Sequence, residues 1–176
     1  METAIFAGGC FWCLHAIFSQ LDGVRAVHSG YCGGALPQPN YQQVCGGQSG
    51  HAEAVRIEFD PQQLGYATLL EVFFASHDPT TLNRQGHDSG TQYRSEIFYL
   101  NTEQQRAAEQ LIQQLEHQQV FNAPIVTAVS QATEFYPAES EHQDYFFNHR
   151  QAPYCQAVIE PKLTTFLQHY AHRVKR

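Results

Sequence analysis

The segment HAEAVRIEFDP, residues 51–61, constrains the fold most, because its apolar and charged side chains alternate. The apolar positions are Val55, Ile57 and Phe59. Successive side chains of a strand point to opposite faces of a sheet, so the pattern predicts a strand with one buried face. The pair Asp60-Pro61 is typical of a strand end. The chain is therefore expected to be built around a sheet.

Further strand and helix patterns alternate along the chain. Strands are predicted at residues 3–7, 24–30, 92–100 and 125–132, and helices at residues 10–21, 66–76, 139–148 and 161–172. Thr102 and Gln105 resemble a capping box that opens one more long helix. A glycine-rich loop follows the second strand, and a polar loop spans residues 77–90. This order, with a hint of two β-α-β units, predicts a mixed α/β (α+β) class around one sheet.

Length and charge narrow the class of protein. The 176 residues, 43% of them hydrophobic, predict a single domain over residues 1–176 with a loop-rich part from about residue 136. The net charge of -7, with no basic run except the short tail at 172–176, argues against nucleic-acid binding. No apolar run reaches the ~20 residues that cross a bilayer, and no secretory leader is visible. We expect a cytoplasmic protein without a membrane partner, and we take it to be a monomer.

Cys10 is the first candidate for a catalytic residue. A short strand is predicted to turn through Gly8 and Gly9 into a helix that begins at this residue. The free N–H groups and the positive dipole end of a helix N-terminus favour a thiolate over a thiol. The sequence therefore predicts a reactive nucleophile at neutral pH.

The C-x-x-C spacing of Cys10 and Cys13 leaves other interpretations open. The pair could be two inert buried residues, or the dithiol of a general thiol-disulfide oxidoreductase. Several of the five cysteines could form a zinc module, although no second closely spaced pair is present. A cysteine hydrolase with a histidine base is a further alternative, although most of the ten histidines are expected at the surface.

Glu53 shares the buried face of the alternating strand. Burial raises the pKa of a carboxyl group, so Glu53 is a candidate proton donor at neutral pH. Phe11 fits the apolar stripe of the first helix, whereas Trp12 does not. The indole of Trp12 is therefore a candidate wall for an apolar pocket.

Three more side chains could hold a polar oxygen. Tyr41 lies in the glycine-rich loop, Asp88 lies in the polar loop, and Tyr93 is predicted at the start of a strand. Two phenols and a carboxyl group are suitable hydrogen-bonding partners for such an oxygen.

A series of motifs, in order along nearly the whole chain, resembles the A-class peptide methionine sulfoxide reductases. The motifs are GGCFWC, NYQQVC, GHAEAVRIEFDP, HDPTTLNRQGHDSGTQYRS, FYPAESEHQDYF and PYCQAVIEPKL. The resemblance implies a two-layer sandwich around a mixed sheet, with a ferredoxin-like core and an irregular C-terminal segment. It also implies reduction of the S epimer of methionine sulfoxide, free or in proteins, without a metal or organic cofactor.

The resemblance assigns roles to the candidate residues. It implies that Cys10 is the nucleophile, that Glu53 is the acid, and that Phe11 and Trp12 enclose the substrate methyl group. Tyr41, Asp88 and Tyr93 occupy positions similar to the substrate-binding groups of the family. The expected cycle passes through a sulfenic acid on Cys10 and a disulfide, which thioredoxin reduces.

The resemblance favours Cys155 as the second thiol of this disulfide, because Cys155 resembles a C-terminal recycling cysteine on a segment predicted to be a mobile loop. Cys13 is the alternative, although a bond between Cys10 and Cys13 requires the first helical turn to distort. Cys32 is expected to be a spare thiol or a site of misoxidation. Cys45 is expected to be buried and without a redox role.

Overall fold

A computed structural model describes residues 1–175, which form a six-stranded mixed sheet with helices packed against it. The strands are β1 (Glu2–Ala7), β2 (Val24–Cys32), β3 (Ala52–Phe59), β4 (Arg84–Gln85), β5 (Asp88–Ser89), β6 (Glu96–Tyr99), β7 (Ala128–Gln131) and β8 (Tyr136–Pro137). The α-helices are α1 (Phe11–Phe18), α2 (Tyr41–Cys45), α3 (Tyr66–Ser76), α4 (Thr102–His117), α5 (Tyr145–Asn148) and α6 (Glu160–His169). Strands β4 and β5 form a separate small hairpin.

The sheet has the order β7-β6-β1-β3-β2-β8, and its four central strands confirm the ferredoxin-like core. Strand β3 is antiparallel to both β1 and β2, so β1 and β2 run in the same direction with β3 between them. Likewise, β1 lies between β3 and β6 and is antiparallel to both, so β3 and β6 run in the same direction. Helices α1 and α3 make these two split crossovers, which are the β-α-β units that the sequence indicated. The pair β6 and β7 is parallel and is joined through α4.

The alternation in β3 decides which of its side chains face the helices. Val55, Ile57 and Phe59 are fully buried in the main core, together with apolar residues of α1 and α3. Ala52 and Ala54 belong to a smaller cluster on the other face of the sheet. Glu53 is 1% exposed and pairs in register with Tyr31, a residue of the main core. The predicted strand and the predicted burial of Glu53 are therefore both confirmed.

Several predicted boundaries are wrong for local reasons. Residues 91–93 form a 3₁₀ turn, so the strand predicted at 92–100 begins only at Glu96. Helix α4 is capped by Asn101, whose side chain accepts the N–H of Gln104, rather than by the predicted box of Thr102 and Gln105. Asn and Thr both cap helices well, so the sequence did not distinguish two registers one residue apart.

The glycine-rich loop and the C-terminal part of the chain differ from the predicted pattern of helices and loops. The glycine-rich loop holds α2, which a capping box of Asn40 and Gln43 begins. The predicted helix at 139–148 is a 3₁₀ turn (Ser140–His142) followed by the short α5. A π-helical turn, Cys155–Ile159, runs directly into α6.

Within residues 1–175, no helix combines the length and apolar character of a membrane span.

Gly9 is the position where the turn before α1 requires glycine. Its φ of 85° is in the left-handed region, and an added Cβ would lie 2.7 Å from Cγ of Gln85. The Gln85 side chain is held by hydrogen bonds to both the N–H and the carbonyl of Asp78, so it cannot easily move away. We expect Gly9→Ala to lower the free energy of unfolding by about 1–3 kcal/mol in a denaturant titration.

Gly65→Ala is the matched control for this prediction. Gly65 has a φ of -80°, and a Cβ built on it meets no atom within 4 Å. The control should therefore unfold within about 0.5 kcal/mol of the parent. An equally small effect of Gly9→Ala would show that the turn before α1 does not depend on glycine.

Candidate active site

The candidate nucleophile lies where β1 meets α1. Cys10 is the residue that precedes the first turn of α1, as predicted, and it is only 8% exposed. Its extended backbone conformation follows the left-handed Gly9, whose N–H donates to the carbonyl of Tyr93 at 3.2 Å. The turn therefore places the Cys10 thiol beside the loop that carries Tyr93.

The predicted thiolate at Cys10 is wrong for the resting protein. Burial raises the pKa of the Cys10 thiol well above its ordinary value, and a negative charge on Glu53 would raise it further. A hydrogen bond from the backbone N–H of Trp12 lowers the Cys10 pKa, but its effect is smaller than that of burial. The Phe11 N–H, another free donor of the helix start, is used by Glu53 instead. Cys10 is therefore a thiol at neutral pH.

Glu53 meets the predicted requirements of a proton donor. Its Oε1 accepts the backbone N–H of Phe11 at 3.1 Å, which brings β3 and the start of α1 together. Its Oε2 is buried and accepts no N–H or O–H hydrogen bond from the described residues. Burial raises the pKa of this carboxyl group to about 8, so it is largely protonated at neutral pH. One carboxyl oxygen is therefore anchored by the start of α1, while the other is buried without an N–H or O–H donor among the described residues.

Aromatic rings line the same end of the sheet. Phe11 is fully buried, and its ring centroid lies 5.7 Å from that of Tyr31 and 6.3 Å from that of Tyr41. Trp12 is half-buried and stacks on Tyr145, with ring centroids 3.7 Å apart. Phe11 and Trp12 therefore lie among other aromatic rings, and their role as the wall of a pocket stays a prediction.

The three predicted polar groups also lie around Cys10 and Glu53. Tyr41 begins α2, Tyr93 ends a 3₁₀ turn rather than starting a strand, and Asp88 lies in β5. Burial raises the pKa values of both phenols, and a charge on Glu53 would raise them further. Tyr41 and Tyr93 are therefore hydrogen-bond donors at any physiological pH.

Tyr154 is a member of the site that sequence reasoning missed. Its hydroxyl donates to Oδ2 of Asp88 at 2.7 Å, and the same hydroxyl interacts with the Cys10 thiol. Its ring meets the edge of Trp12 at a centroid distance of 5.9 Å. The sequence feature that could have identified Tyr154 is its position directly before Cys155, inside the motif PYCQAVIEPKL.

Two further residues from the motif FYPAESEHQDYF were also missed. Glu139 accepts the hydroxyl of Tyr31 at 2.9 Å and the backbone N–H of Tyr41 at 3.1 Å. His142 is buried between aromatic rings, and its Nδ1 accepts the indole N–H of Trp12. The C-terminal third of the chain therefore contributes directly to this site.

The remaining cysteines differ from expectation in two places. Cys155 is fully buried in the core and begins the π-helical turn, so the prediction that it lies on a mobile loop is wrong. Cys45 is half-buried, rather than buried, and its thiol contacts Tyr41. Cys32 is fully buried, with its sulfur 3.7 Å from the carbonyl oxygen of Thr133. Burial raises the pKa of Cys13 to about 11, and Cys155 lies near enough to influence it.

The zinc alternative has no geometric support in the part of the chain that the structure describes. There, the group of metal-ligating side chains with ligand atoms within 4.8 Å of one another is Glu139, Glu141 and His142, which includes no cysteine. Structural zinc sites that use cysteine need four converging ligands. The cysteines among the described residues therefore do not converge as zinc ligands.

Known proteins resemble this chain over nearly its whole length. A family model described as "Peptide methionine sulfoxide reductase" matches residues 2–174. The peptide methionine sulfoxide reductase MsrA of Chromobacterium violaceum is 58% identical over 172 residues, which cover 98% of each chain. The MsrA of Deinococcus radiodurans is 54% identical over 99% of this chain and 84% of its own.

Solved structures agree with the fold. Reduced Mxr1 from Saccharomyces cerevisiae superimposes with a TM-score of 0.80 at 28% identity and covers 88% of each chain. Methionine sulfoxide reductase A of Corynebacterium diphtheriae gives a TM-score of 0.76 at 32% identity, over 86% of this chain and 76% of its own.

Proposed function

Because the chain belongs to the peptide methionine sulfoxide reductase family, we propose that it reduces the S epimer of methionine sulfoxide, free or in proteins, to methionine. The observation that carries this proposal is the pairing of Cys10 with Glu53. A buried thiol and a buried, largely protonated carboxyl group lie together, and Oε2 of Glu53 accepts no N–H or O–H hydrogen bond from the described residues. Aromatic rings beside them suit the methyl group of the substrate.

The proposed first step transfers oxygen from the sulfoxide to Cys10. The Cys10 sulfur bonds to the sulfoxide sulfur while the sulfoxide oxygen gains a proton. The resulting hydroxyl group then leaves the substrate sulfur and bonds to the Cys10 sulfur, and the sulfur–sulfur bond breaks with its electron pair going to the methionine sulfur. Cys10 becomes a sulfenic acid and methionine is released. Oxygen is a poor leaving group until it is protonated, and Glu53 supplies that proton.

This scheme does not require a resting thiolate. Glu53 gives its proton to the sulfoxide oxygen, and the proton lost by Cys10 restores the carboxyl group. The step therefore consumes no net proton, and the raised pKa of Cys10 does not prevent it. Tyr41 and Tyr93 hold the same oxygen as hydrogen-bond donors, and the Asp88 carboxylate completes the polar side of the pocket.

The proposed second step closes a disulfide. A second thiol attacks the sulfenic acid of Cys10 and water leaves. We assign this role to Cys155 ahead of Cys13, because a bond between Cys10 and Cys13 would distort the start of α1. Cys155 is buried and begins the π-helical turn, and we propose that this turn opens when Cys155 attacks Cys10.

The resulting disulfide needs an external dithiol, and we propose a thioredoxin as this reductant. Of the relatives, Mxr1 has been solved in complex with Trx2. The net reaction then oxidises one dithiol to a disulfide for each methionine formed. We further propose that the chain acts in the cytoplasm, where reduced thioredoxin is available, as a single-domain monomer without a metal or organic cofactor.

Cys155→Ala tests the second step. We expect this variant to release about one methionine per enzyme molecule and then to stop, because the sulfenic acid on Cys10 has no partner. Single-turnover release of methionine, followed by dimedone labelling and mass spectrometry, measures the product and the trapped acid. Cys13→Ala is the matched variant and should keep turnover with thioredoxin. The reverse result for the pair would assign the resolving role to Cys13.

One assay tests the proposed function as a whole. Purified S and R epimers of a peptide methionine sulfoxide are supplied separately, with thioredoxin and its reductase as the electron source. The proposal predicts turnover of the S epimer alone. Rapid reduction of insulin disulfides without sulfoxide reduction would instead indicate a general thiol-disulfide oxidoreductase that uses Cys10 and Cys13.

A further inference from the structure

Trp12 has a polar edge that the proposed reaction does not use. Its indole N–H donates to Nδ1 of His142 at 3.2 Å, across 130 positions of the chain. The face of the indole makes an apolar contact: it lies nearly parallel to the ring of Tyr145, with ring centroids 3.7 Å apart. Stacking alone permits a ring to slide or turn in its own plane. The hydrogen bond to His142 removes that freedom.

His142 is itself held firmly. It is 6% exposed, and its ring stacks on Tyr41 at a centroid distance of 4.3 Å. It also lies 5.6 Å from the ring of Phe11. The turn that carries it is anchored by Glu139, which accepts a hydrogen bond from the Tyr41 backbone. One imidazole therefore lies against three of the aromatic residues assigned to the substrate pocket, Phe11, Trp12 and Tyr41.

The hydrogen bond to Trp12 also determines the tautomer of His142. A neutral imidazole has one lone pair, and Nδ1 uses it to accept the indole N–H, so the proton is on Nε2. Burial lowers the pKa of His142, while Glu139 and Glu141 act against it. The ring is thus neutral at pH 7. A metal ion on Nε2 would have to take the lone pair away from Trp12, so Glu139, Glu141 and His142 cannot bind a metal through Nε2 while this hydrogen bond is present.

We propose that His142 is a positioning residue, which fixes the plane of the Trp12 indole and thereby makes the pocket selective for a methyl group on the substrate sulfur. This inference rests on the proposed function, since Trp12 is assigned there as a wall of the methyl pocket. A wall free to slide along Tyr145 would admit a larger group. Discrimination between methyl and ethyl therefore depends on a residue that touches neither the substrate nor Cys10.

The test uses His142→Leu and His142→Asn as a matched pair. Leucine removes the acceptor, whereas the side-chain oxygen of asparagine lies close to the position of Nδ1 and can still accept the indole N–H. For His142→Leu we expect KM for the methyl sulfoxide to rise about tenfold and the methyl-to-ethyl ratio of kcat/KM to fall about tenfold. The kcat with the methyl substrate should stay within about twofold, because Cys10 and Glu53 are unchanged. His142→Asn should restore most of the ratio.

Fluorescence separates this inference from the proposed function. Trp12 is the single tryptophan of the chain, so its emission reports the indole directly in the free enzyme. We expect a red-shifted emission and stronger acrylamide quenching in His142→Leu, and parent-like values in His142→Asn. Parent-like fluorescence and an unchanged methyl-to-ethyl ratio in His142→Leu would overturn the inference. A parent enzyme without sulfoxide reductase activity would overturn the proposed function, while the fluorescence result still decides whether His142 holds Trp12.

Discussion

Cys10→Ser is expected to lose methionine sulfoxide reduction, by at least about 10⁴-fold in kcat/KM. Serine keeps the size and position of the side chain, but its hydroxyl cannot take the oxygen atom and form a sulfenic acid. The measurement is methionine release from the S epimer of a peptide substrate, with thioredoxin in excess. Circular dichroism should show an unchanged fold, because the backbone turn at Gly9 does not depend on the sulfur.

Cys32→Ser is the control for this result. Cys32 is equally buried, but it lies in the cluster on the other face of the sheet, where a hydroxyl can donate to the carbonyl of Thr133. This variant should keep the activity of the parent. Appreciable turnover by Cys10→Ser, or an equal loss in Cys32→Ser, would contradict the assignment of Cys10 as nucleophile.

Glu53→Gln is expected to lower kcat/KM by about 10²–10⁴-fold, the usual contribution of a general acid. Glutamine can still accept the Phe11 N–H, so the contact between β3 and α1 should remain while the acidic proton is lost. Glu58→Gln, on the opposite face of the same strand and half-buried, is the control and should behave like the parent.

The pH dependence provides a second readout for Glu53. Burial raises its pKa to about 8, and in the proposed mechanism the protonated form is the active one. The parent should therefore hold its activity below pH 8 and lose it as the pH rises through this value. Glu53→Gln should not show this loss. A parent-like rate at neutral pH in Glu53→Gln would refute the buried acid even if Cys10 is the nucleophile.

The two central residues of the site were predictable because each depends on a local pattern. Period-two alternation placed Glu53 on the buried face of β3, and a glycine turn between a strand and a helix placed Cys10 at the start of α1. The ferredoxin-like core and the substrate-binding residues came from the family motifs rather than from these patterns. The burial of Cys155 and the roles of Tyr154 and His142 depend on how the C-terminal segment packs, and local patterns do not contain that information.

The sequence by itself predicted Cys10 at the start of α1 and Glu53, as a proton donor, on the buried face of β3, since side-chain period and turn chemistry act over a few neighbouring positions. Only the tertiary structure decided the protonation of Cys10. A helix N-terminus alone favours a thiolate, but burial beside Glu53 has a larger effect and leaves Cys10 a thiol. Desolvation depends on atoms that come from many parts of the chain. Tyr154, 144 positions away in sequence, acts against it through a hydrogen bond that lowers the Cys10 pKa. The charge state of the nucleophile is therefore a property of the whole fold.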